Sequence, residues 1–326
     1  MRRTVGMVAC FVALLASAAW VKAQPAMDGA ARAQEVAPFI TADTMVVMHV
    51  DVAAIDMAGL EAWVGGMVKQ FAKDPAKADK DIKEMQADFA KARTFVDEFR
   101  KAGAKDIYMV GGMGGPDQGA MIIPAAGGNV AAVQAAVQKA IAESKNDDKP
   151  EVATVGNAVV VGEKAAVEGL KNAKAVAQPE LAKALAAAGG SAMQIIVLPN
   201  DQLKAMAAGQ NLPKELGGGP VADLINAVSF SVLGVDAPPK LALHLIVQAK
   251  DDAGAQKLNG VATTTLGKLK EVPPLAPFAA MLTPKLDGTA LKIDLSSEQL
   301  GTLVTMGFQM MQMRGGGAPP PPPPGQ

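Results

Sequence analysis

The sequence predicts an α+β fold that is built from two similar halves and followed by a proline-rich tail. Apolar residues alternate in several short stretches, as in half-buried strands, and recur every three or four residues in others, as in helices. The predicted elements follow the same order in both halves of the chain. Each half reads as β-α-β-β-α-β, the order of ferredoxin-like units, with an added hairpin and a closing helix.

The clearest repeated layout is a strand, a turn, a second strand and a helix between residues 227 and 268. In the first strand, apolar residues alternate with serine from Val228 to Val232, and Asp251 can cap the helix. The same layout begins earlier in the chain at Asp106 and ends in a helix that Asn129 can cap. Residue identity between the halves is close to nil, so the predicted duplication depends on element order and matched turns.

The first half opens with the apolar stretch Met45–Val52, which predicts a strand near the centre of a sheet. A helix over 55–67 follows. The next helix has clear boundaries, since Asp74 can cap it, Pro75 occupies its first position and Gly103 can end it. Its apolar residues recur at steps of three and four, which fits either a coiled-coil seam or packing against its own domain, and we expect the second.

Tight turns mark two hairpins at corresponding places in the halves. Gly156-Asn157 separates two short strands in the first half, and Asp287-Gly288 does the same in the second. The second half opens with the apolar stretch 192–198, which is comparable to the first strand of the chain. Ser296 and Gln299 form a capping-box pattern at the start of the last predicted helix.

These patterns divide the chain into five segments. They are a signal peptide (1–23), a flexible lead-in (24–37), a first α/β half (38–190), a second α/β half (191–313) and a disordered Gly/Pro tail (314–326). The tail contains six consecutive prolines and cannot pack into a core. We therefore expect an extended, solvated tail that acts as a spacer or docks on a partner.

The first 23 residues have the pattern of an export signal. Arg2 and Arg3 precede an apolar run from Val5 to Trp20. Val21-Lys22-Ala23 then gives a small-x-small cleavage site, after which Gln24 would be the mature N-terminus. The apolar run is short for a membrane span, so we expect cleavage rather than an uncleaved anchor. The protein is therefore expected to be periplasmic or extracellular.

Charge and cysteine content exclude several classes of function. The formal net charge of the whole chain is −1, and loss of the signal would leave 28 basic against 32 acidic residues. Such a chain has no strong basic field for binding nucleic acid. The single cysteine, Cys10, lies in the signal, so the mature chain would lack disulfides, thiolate catalysis and cysteine-bound metals.

Few residues are candidates for a functional site. The two histidines, His49 and His244, fall in predicted strands, and Asp51 lies two residues after His49 on the same face of its strand. His49 and Asp51 fit an acid–base or metal pair, but a position on a half-exposed sheet face is the simpler interpretation. Gly111–Gly115 lies between two strands, whereas a phosphate loop would need a helix there. We assign no catalytic residue, no metal site and no cofactor from the sequence.

These observations favour an exported, non-enzymatic protein that binds an unknown protein or small ligand through the surface between its halves. Two alternatives remain open, a carrier of an apolar ligand and a carboxylate-based envelope hydrolase that uses His49 and Asp51. A closed apolar cavity would favour the carrier, and a pocket that groups His49, Asp51 and a second carboxylate would favour the hydrolase. We expect no nucleic-acid partner, and no membrane span after signal cleavage.

Overall fold

The computed structural model describes residues 29–71, 75–112, 119–125, 127–143, 149–238, 241–273 and 275–315. Within these ranges, eleven α-helices and ten strands are interspersed along the chain, which confirms the α+β class. The predicted signal peptide lies outside these ranges, so export remains a prediction.

The ten strands form one sheet in which every neighbouring pair is antiparallel. The strands are β1 (Val46–Asp51), β2 (Asp106–Gly111), β3 (Ala120–Pro124), β4 (Glu151–Val155), β5 (Ala158–Gly162), β6 (Met193–Val197), β7 (Val228–Val235), β8 (Leu243–Ala249), β9 (Lys285–Asp287) and β10 (Ala290–Leu295). Their order across the sheet is β4-β5-β3-β2-β1-β6-β7-β8-β10-β9. Strand β1 is therefore central, as its apolar sequence predicts, and its pairing with β6 joins the two halves.

The helices lie before, between and after these strands. They are α1 (Gly29–Val36), α2 (Met57–Phe71), α3 (Pro75–Lys101), α4 (Val130–Glu143), α5 (Lys164–Lys171), α6 (Pro179–Ala187), α7 (Asp201–Ala207), α8 (Val221–Ala227), α9 (Asp252–Lys270), α10 (Ala276–Met281) and α11 (Ser297–Gly315). Two short 3-10 helices cover Ala37–Phe39 and Lys214–Leu216.

The sheet does not have the ferredoxin-like arrangement that we predicted. In a split β-α-β unit, a single helix returns the chain so that the next strand runs parallel to the first. Here β1 and β2 are adjacent and antiparallel, because two helices, α2 and α3, lie between them. The pairing order is β1-β2-β3-β5-β4 in the first half and β6-β7-β8-β10-β9 in the second.

Each face of the sheet carries its own hydrophobic core. On one face, helices α1, α5 and α6 pack with strand residues such as Val47, Tyr108 and Ile196. On the opposite face, helices α3 and α4 pack with strand residues such as Val50 and Ile107. We refer to these as the α1 face and the α3 face. Packing of α3 on the sheet confirms that its apolar stripe serves its own domain.

Several local signals act as the sequence predicts. Asp251 and Asn129 cap α9 and α4 by accepting hydrogen bonds from first-turn backbone N–H groups at 2.7 and 3.1 Å. Gly103 follows α3 with a left-handed φ of 94°. At the start of α11, Ser296 and Gln299 exchange hydrogen bonds between side chain and backbone, which is a capping box.

The segment 24–37, which we predicted to be a flexible lead-in, contains a helix. Residues Gly29–Val36 form α1, and the Arg32 side chain is buried against the sheet. Helix α1 approaches α6 closely, since a Cβ at Gly29 would lie 2.5 Å from the backbone nitrogen of Ala186. The sequence pattern concealed this helix because its buried anchor is a charged residue instead of an apolar stripe.

Among the described residues, no helix is both long enough and apolar enough to cross a lipid bilayer. Helix α11 extends to Gly315, two residues into the predicted tail. The rest of that tail lies outside the described ranges, so its predicted disorder is untested.

Candidate functional site

His49 and Asp51 lie on the α1 face and belong to a buried ionic cluster. Asp106, which pairs with Asp51 across β1 and β2, accepts a hydrogen bond from His49 Nε2 at 2.6 Å. Arg32 of α1 donates from Nη2 to Asp51 Oδ2 at 2.7 Å. Its Nε lies 3.3 Å from Asp106 Oδ1, an ion-pair contact without hydrogen-bond geometry. His49 and Asp51 are thus connected through Arg32 and Asp106.

Local sequence places these groups on one side of the sheet. His49 and Asp51 alternate with buried Val50, and Asp106 alternates with Ile107 in the neighbouring strand, so all three polar side chains point towards α1. The second oxygen of Asp51 also accepts hydrogen bonds from two backbone N–H groups of the following turn, at 3.0 and 2.9 Å. Asp51 therefore fixes both the end of β1 and the position of Arg32.

Tyr108 and Glu35 extend the cluster towards the surface. The Tyr108 hydroxyl donates to Glu35 Oε2 at 3.3 Å, and the Tyr108 and His49 ring centroids are 5.0 Å apart. Burial is the main cause that raises the pKa of Glu35, and the charge of Asp106 adds to it. Burial and the same charge raise the pKa of Tyr108, so its hydroxyl remains a donor.

The acid–base groups of the cluster are largely buried. His49 is 0% exposed, Arg32 2% and Asp106 4%. Among the described residues, His49 Nδ1 and Gln194 Oε1, on adjacent strands, are buried without a hydrogen-bond partner. Because most of the charges are shielded from solvent and paired with one another, the cluster serves to hold α1 on the sheet. His49 and Asp51 are thus grouped with a second carboxylate, Asp106, in a largely buried cluster.

His244 lies on the α1 face in the second half, at a half-exposed position. Its Nδ1 is 2.7 Å from Asp294 Oδ1, and its Nε2 is 3.2 Å from Asp236 Oδ2. The other oxygen of Asp236 accepts a hydrogen bond from Ser191 Oγ at 2.8 Å. Partial burial lowers the pKa of His244, but the hydrogen bonds to Asp294 and Asp236 outweigh burial, so the net pKa is raised.

The two histidines occupy one row of the sheet but form separate sites. The register pairs His49 with Gln194, Gln194 with Gly234, and Gly234 with His244. Three strand spacings separate the histidines, roughly 14 Å, so they do not act on one ligand atom. In the described part of the chain, no group of three or more His, Cys, Asp or Glu side chains could hold a metal ion.

A partly open cavity of about 570 Å³ lies at the end of β2 that is remote from Asp106. This volume falls within the range of small-molecule sites, about 300–1,000 Å³. Its polar lining consists of Thr41, Asp43 and Thr44 from the loop before β1, and of Gln202 from α7. The cavity thus combines a loop of the first half with a helix of the second.

The other described residues of the cavity wall are small or apolar and come from β2, β3, α5 and the residues just after β2 and α5. They are Val110, Gly111, Gly112, Ala120, Ala166, Gly169, Leu170 and Ala173. Val110 and Ala120 belong to the buried core of the α1 face, and they give the cavity an apolar floor. The cavity is therefore amphiphilic, and it is not the closed apolar chamber that a carrier of an apolar ligand would need.

The loop at the cavity mouth is held in place from several sides. The Thr44 hydroxyl accepts a hydrogen bond from the Thr41 backbone N–H at 2.9 Å, and Asn200 Nδ2 donates to the Asp43 carbonyl at 3.4 Å. A Cβ at Gly112 would lie 3.0 Å from the same carbonyl. Gly112 therefore permits close packing of its backbone against the Asp43 carbonyl.

Sequence reasoning found His49, Asp51 and His244 but missed the residues that complete each site. Asp106 lies in an apolar strand. The alternation of side chains along that strand is the only sequence signal for its position on the same face as His49. Arg32 lies in the segment predicted to be flexible. The cavity residues carry no motif, because threonine, alanine and glycine are common in any chain.

Comparison of the chain with protein-family models, with curated proteins and with solved structures found no match.

Proposed function

We propose that the protein is an exported, non-enzymatic binding protein that takes up a small ligand in the cavity between the Thr41–Thr44 loop, α5 and α7. The observation that carries this proposal is the cavity itself, which has the volume of a small-molecule site and an apolar floor with a polar rim. Export is supported by the n-region, apolar run and cleavage pattern of residues 1–23.

The residues at the cavity favour binding over catalysis. Its described lining contains hydroxyl, amide and carboxylate groups but neither histidine. A threonine hydroxyl without an adjacent histidine or amine base is a poor nucleophile at neutral pH. The histidine–carboxylate contacts lie elsewhere, one set buried and the other on a half-exposed strand. A binding role needs none of this chemistry and uses only shape and a few polar contacts.

We further propose that the two halves are an internal duplication and that the Pro-rich tail is an extended spacer. Equal pairing orders in the two halves support the first proposal, as do helices α1 and α6, which each precede the first strand of a half and pack against each other. The six prolines at the end of the chain support the second. In this scheme the ligand site belongs mainly to the first half.

The binding function is tested by native mass spectrometry of protein purified from the envelope fraction of its own host. We expect the native mass to exceed the denatured mass by that of one small molecule, and the denatured mass to begin at Gln24. In Ala166→Leu, a larger side chain replaces a half-buried alanine of the cavity wall and should abolish the extra mass. Ala165→Leu, on the exposed side of the same helix, is the matched control and should retain it.

Two results would overturn the proposal. If wild-type protein carries no additional mass, it binds no small ligand. If Ala165→Leu and Ala166→Leu retain the additional mass equally, the ligand does not bind in this cavity. An intact Met1 in the denatured protein would contradict export.

A further inference from the structure

The geometry of the cavity points to a ligand class, and we propose that the ligand is a small organic cation, an ammonium group on an apolar body. This inference rests on the proposed binding function and specifies the chemistry of the same site. The apolar body would lie on Val110, Ala120 and Leu170, and the ammonium group would meet Asp43 at the rim.

The charge of the described cavity lining favours a cationic ligand. Of the described residues that line the cavity, Asp43 alone is ionisable, and none is a lysine, arginine or histidine. Asp43 is exposed and belongs to the same loop as Thr41 and Thr44. A cavity with an apolar floor and one carboxylate in its described lining favours a cation, because an anion would meet a like charge.

Two lysines that are close in sequence to lining residues are paired with carboxylates other than Asp43. Lys171 lies 2.9 Å from Glu168 and 3.4 Å from Glu151, and Lys204 lies 2.7 Å from Asp201, so both are engaged with other carboxylates. Lys174 follows the lining residue Ala173 but does not itself line the cavity. Among the described residues, neither Lys171 nor Lys204 therefore forms an ion pair with Asp43.

The test uses three probes that share a phenyl group and differ in charge, 2-phenylethylammonium, 2-phenylethanol and phenylacetate. Binding is followed by methyl NMR of the full mature chain, with the alanine and leucine methyl groups of the cavity wall as reporters. We expect the ammonium probe to bind about five-fold more tightly than the alcohol, because one exposed ion pair contributes up to about this much affinity. The acid should bind least. Added salt should reduce the difference.

Variants separate the cation preference from binding itself. Asp43→Asn should remove the preference for the ammonium probe while the alcohol binds as before, and Asp79→Asn on the exposed surface of α3 should change neither. Ala166→Leu should block all three probes. Gly169→Leu is a second blocking variant, because Gly169 also lines the cavity and a Cβ there meets no protein atom within 4 Å.

The outcomes distinguish the two proposals. If all three probes bind equally, are blocked by Ala166→Leu and are unaffected by Asp43→Asn, the cavity is a binding site but the inference of a cationic ligand is wrong. If no probe shifts the cavity methyl groups, or if both blocking variants bind like wild type, the site and the inference fall together.

Discussion

At the scale of single residues, Arg32 balances the charge of the buried cluster. It is 2% exposed, and it is the cation that contacts both Asp51 and Asp106. Arg32→Met should lower the free energy of unfolding by about 3–5 kcal/mol, because Asp51 and Asp106 lose the buried arginine that they share. Urea denaturation measured by circular dichroism gives this free energy.

A surface arginine provides the control for that measurement. Arg93 is 48% exposed and lies 3.0 Å from Glu61, so Arg93→Met should cost less than about 1 kcal/mol. Equal losses for the two variants would show that the Arg32 cluster contributes no more than a surface ion pair.

His244 should make stability depend on pH. Its pKa is raised above the ordinary 6.5, so the folded state binds the proton more tightly than the unfolded chain does. The stabilisation is then complete below about pH 6.5 and is lost as pH rises through the higher pKa of the folded state. Urea denaturation across this range should give a steeper decline for wild type than for His244→Gln. Parallel pH profiles would mean that the contacts to Asp236 and Asp294 do not form.

At the scale of elements, the contact between α1 and α6 depends on Gly29. A Cβ there would lie 2.5 Å from the Ala186 nitrogen and 2.7 Å from the Ala182 carbonyl, so the helices would have to separate. Gly29→Ala should destabilise the protein by about 1–3 kcal/mol, although alanine favours helix. Thermal unfolding followed by circular dichroism provides the comparison.

Gly260 of α9 is the matched control, since a Cβ there meets no atom within 4 Å. Gly260→Ala should leave stability unchanged or raise it by up to about 1 kcal/mol through helix propensity. A stabilising Gly29→Ala would contradict the close packing of α1 on α6.

The elements that the sequence predicted are those with local signals. Strand β1 follows from its apolar run, α3 from its stripe and terminating Gly103, and the hairpins from Gly156-Asn157 and Asp287-Gly288. Helix α1 could not be predicted in this way, because its stability comes from contacts of Arg32 with strands far along the chain. Local pattern carries no information about such contacts.

The cavity lay beyond sequence reasoning for the same reason, but the connection between β1 and β2 did not. Both helices of that connection have sequence signals, and the ferredoxin-like expectation failed because a pair of helices, instead of one, makes the second strand antiparallel to the first. The cavity brings together Thr41, Ala166 and Gln202, three common residue types from distant parts of the chain. By contrast, the shared face of His49 and Asp51 followed from the two-residue period of a strand.

At the scale of the whole molecule, the two halves form one sheet and should unfold together. Strands β1 and β6 pair along their length, and His49 and Gln194 at their junction are 0% exposed. Phe230→Ala in β7 should therefore lower the midpoint reported by Trp63 fluorescence as much as the midpoint from circular dichroism. Trp63 is in the first half, and the other tryptophan, Trp20, lies in the predicted signal.

The size of that effect follows from burial. Phe230 is 2% exposed in the core of the α1 face, and truncation of such a residue typically costs about 3–5 kcal/mol. A Trp63 transition that does not move with Phe230→Ala would mean that the halves unfold independently and that the β1–β6 pairing does not couple them.

The most direct test of the account is a crystal structure of the protein purified from the envelope of its own host. The account predicts electron density for one small molecule in the cavity, with its apolar part on Val110 and Leu170 and a nitrogen within hydrogen-bond distance of the Asp43 carboxylate. A cavity that contains only solvent, or a ligand bound elsewhere on the molecule, would contradict the central claim.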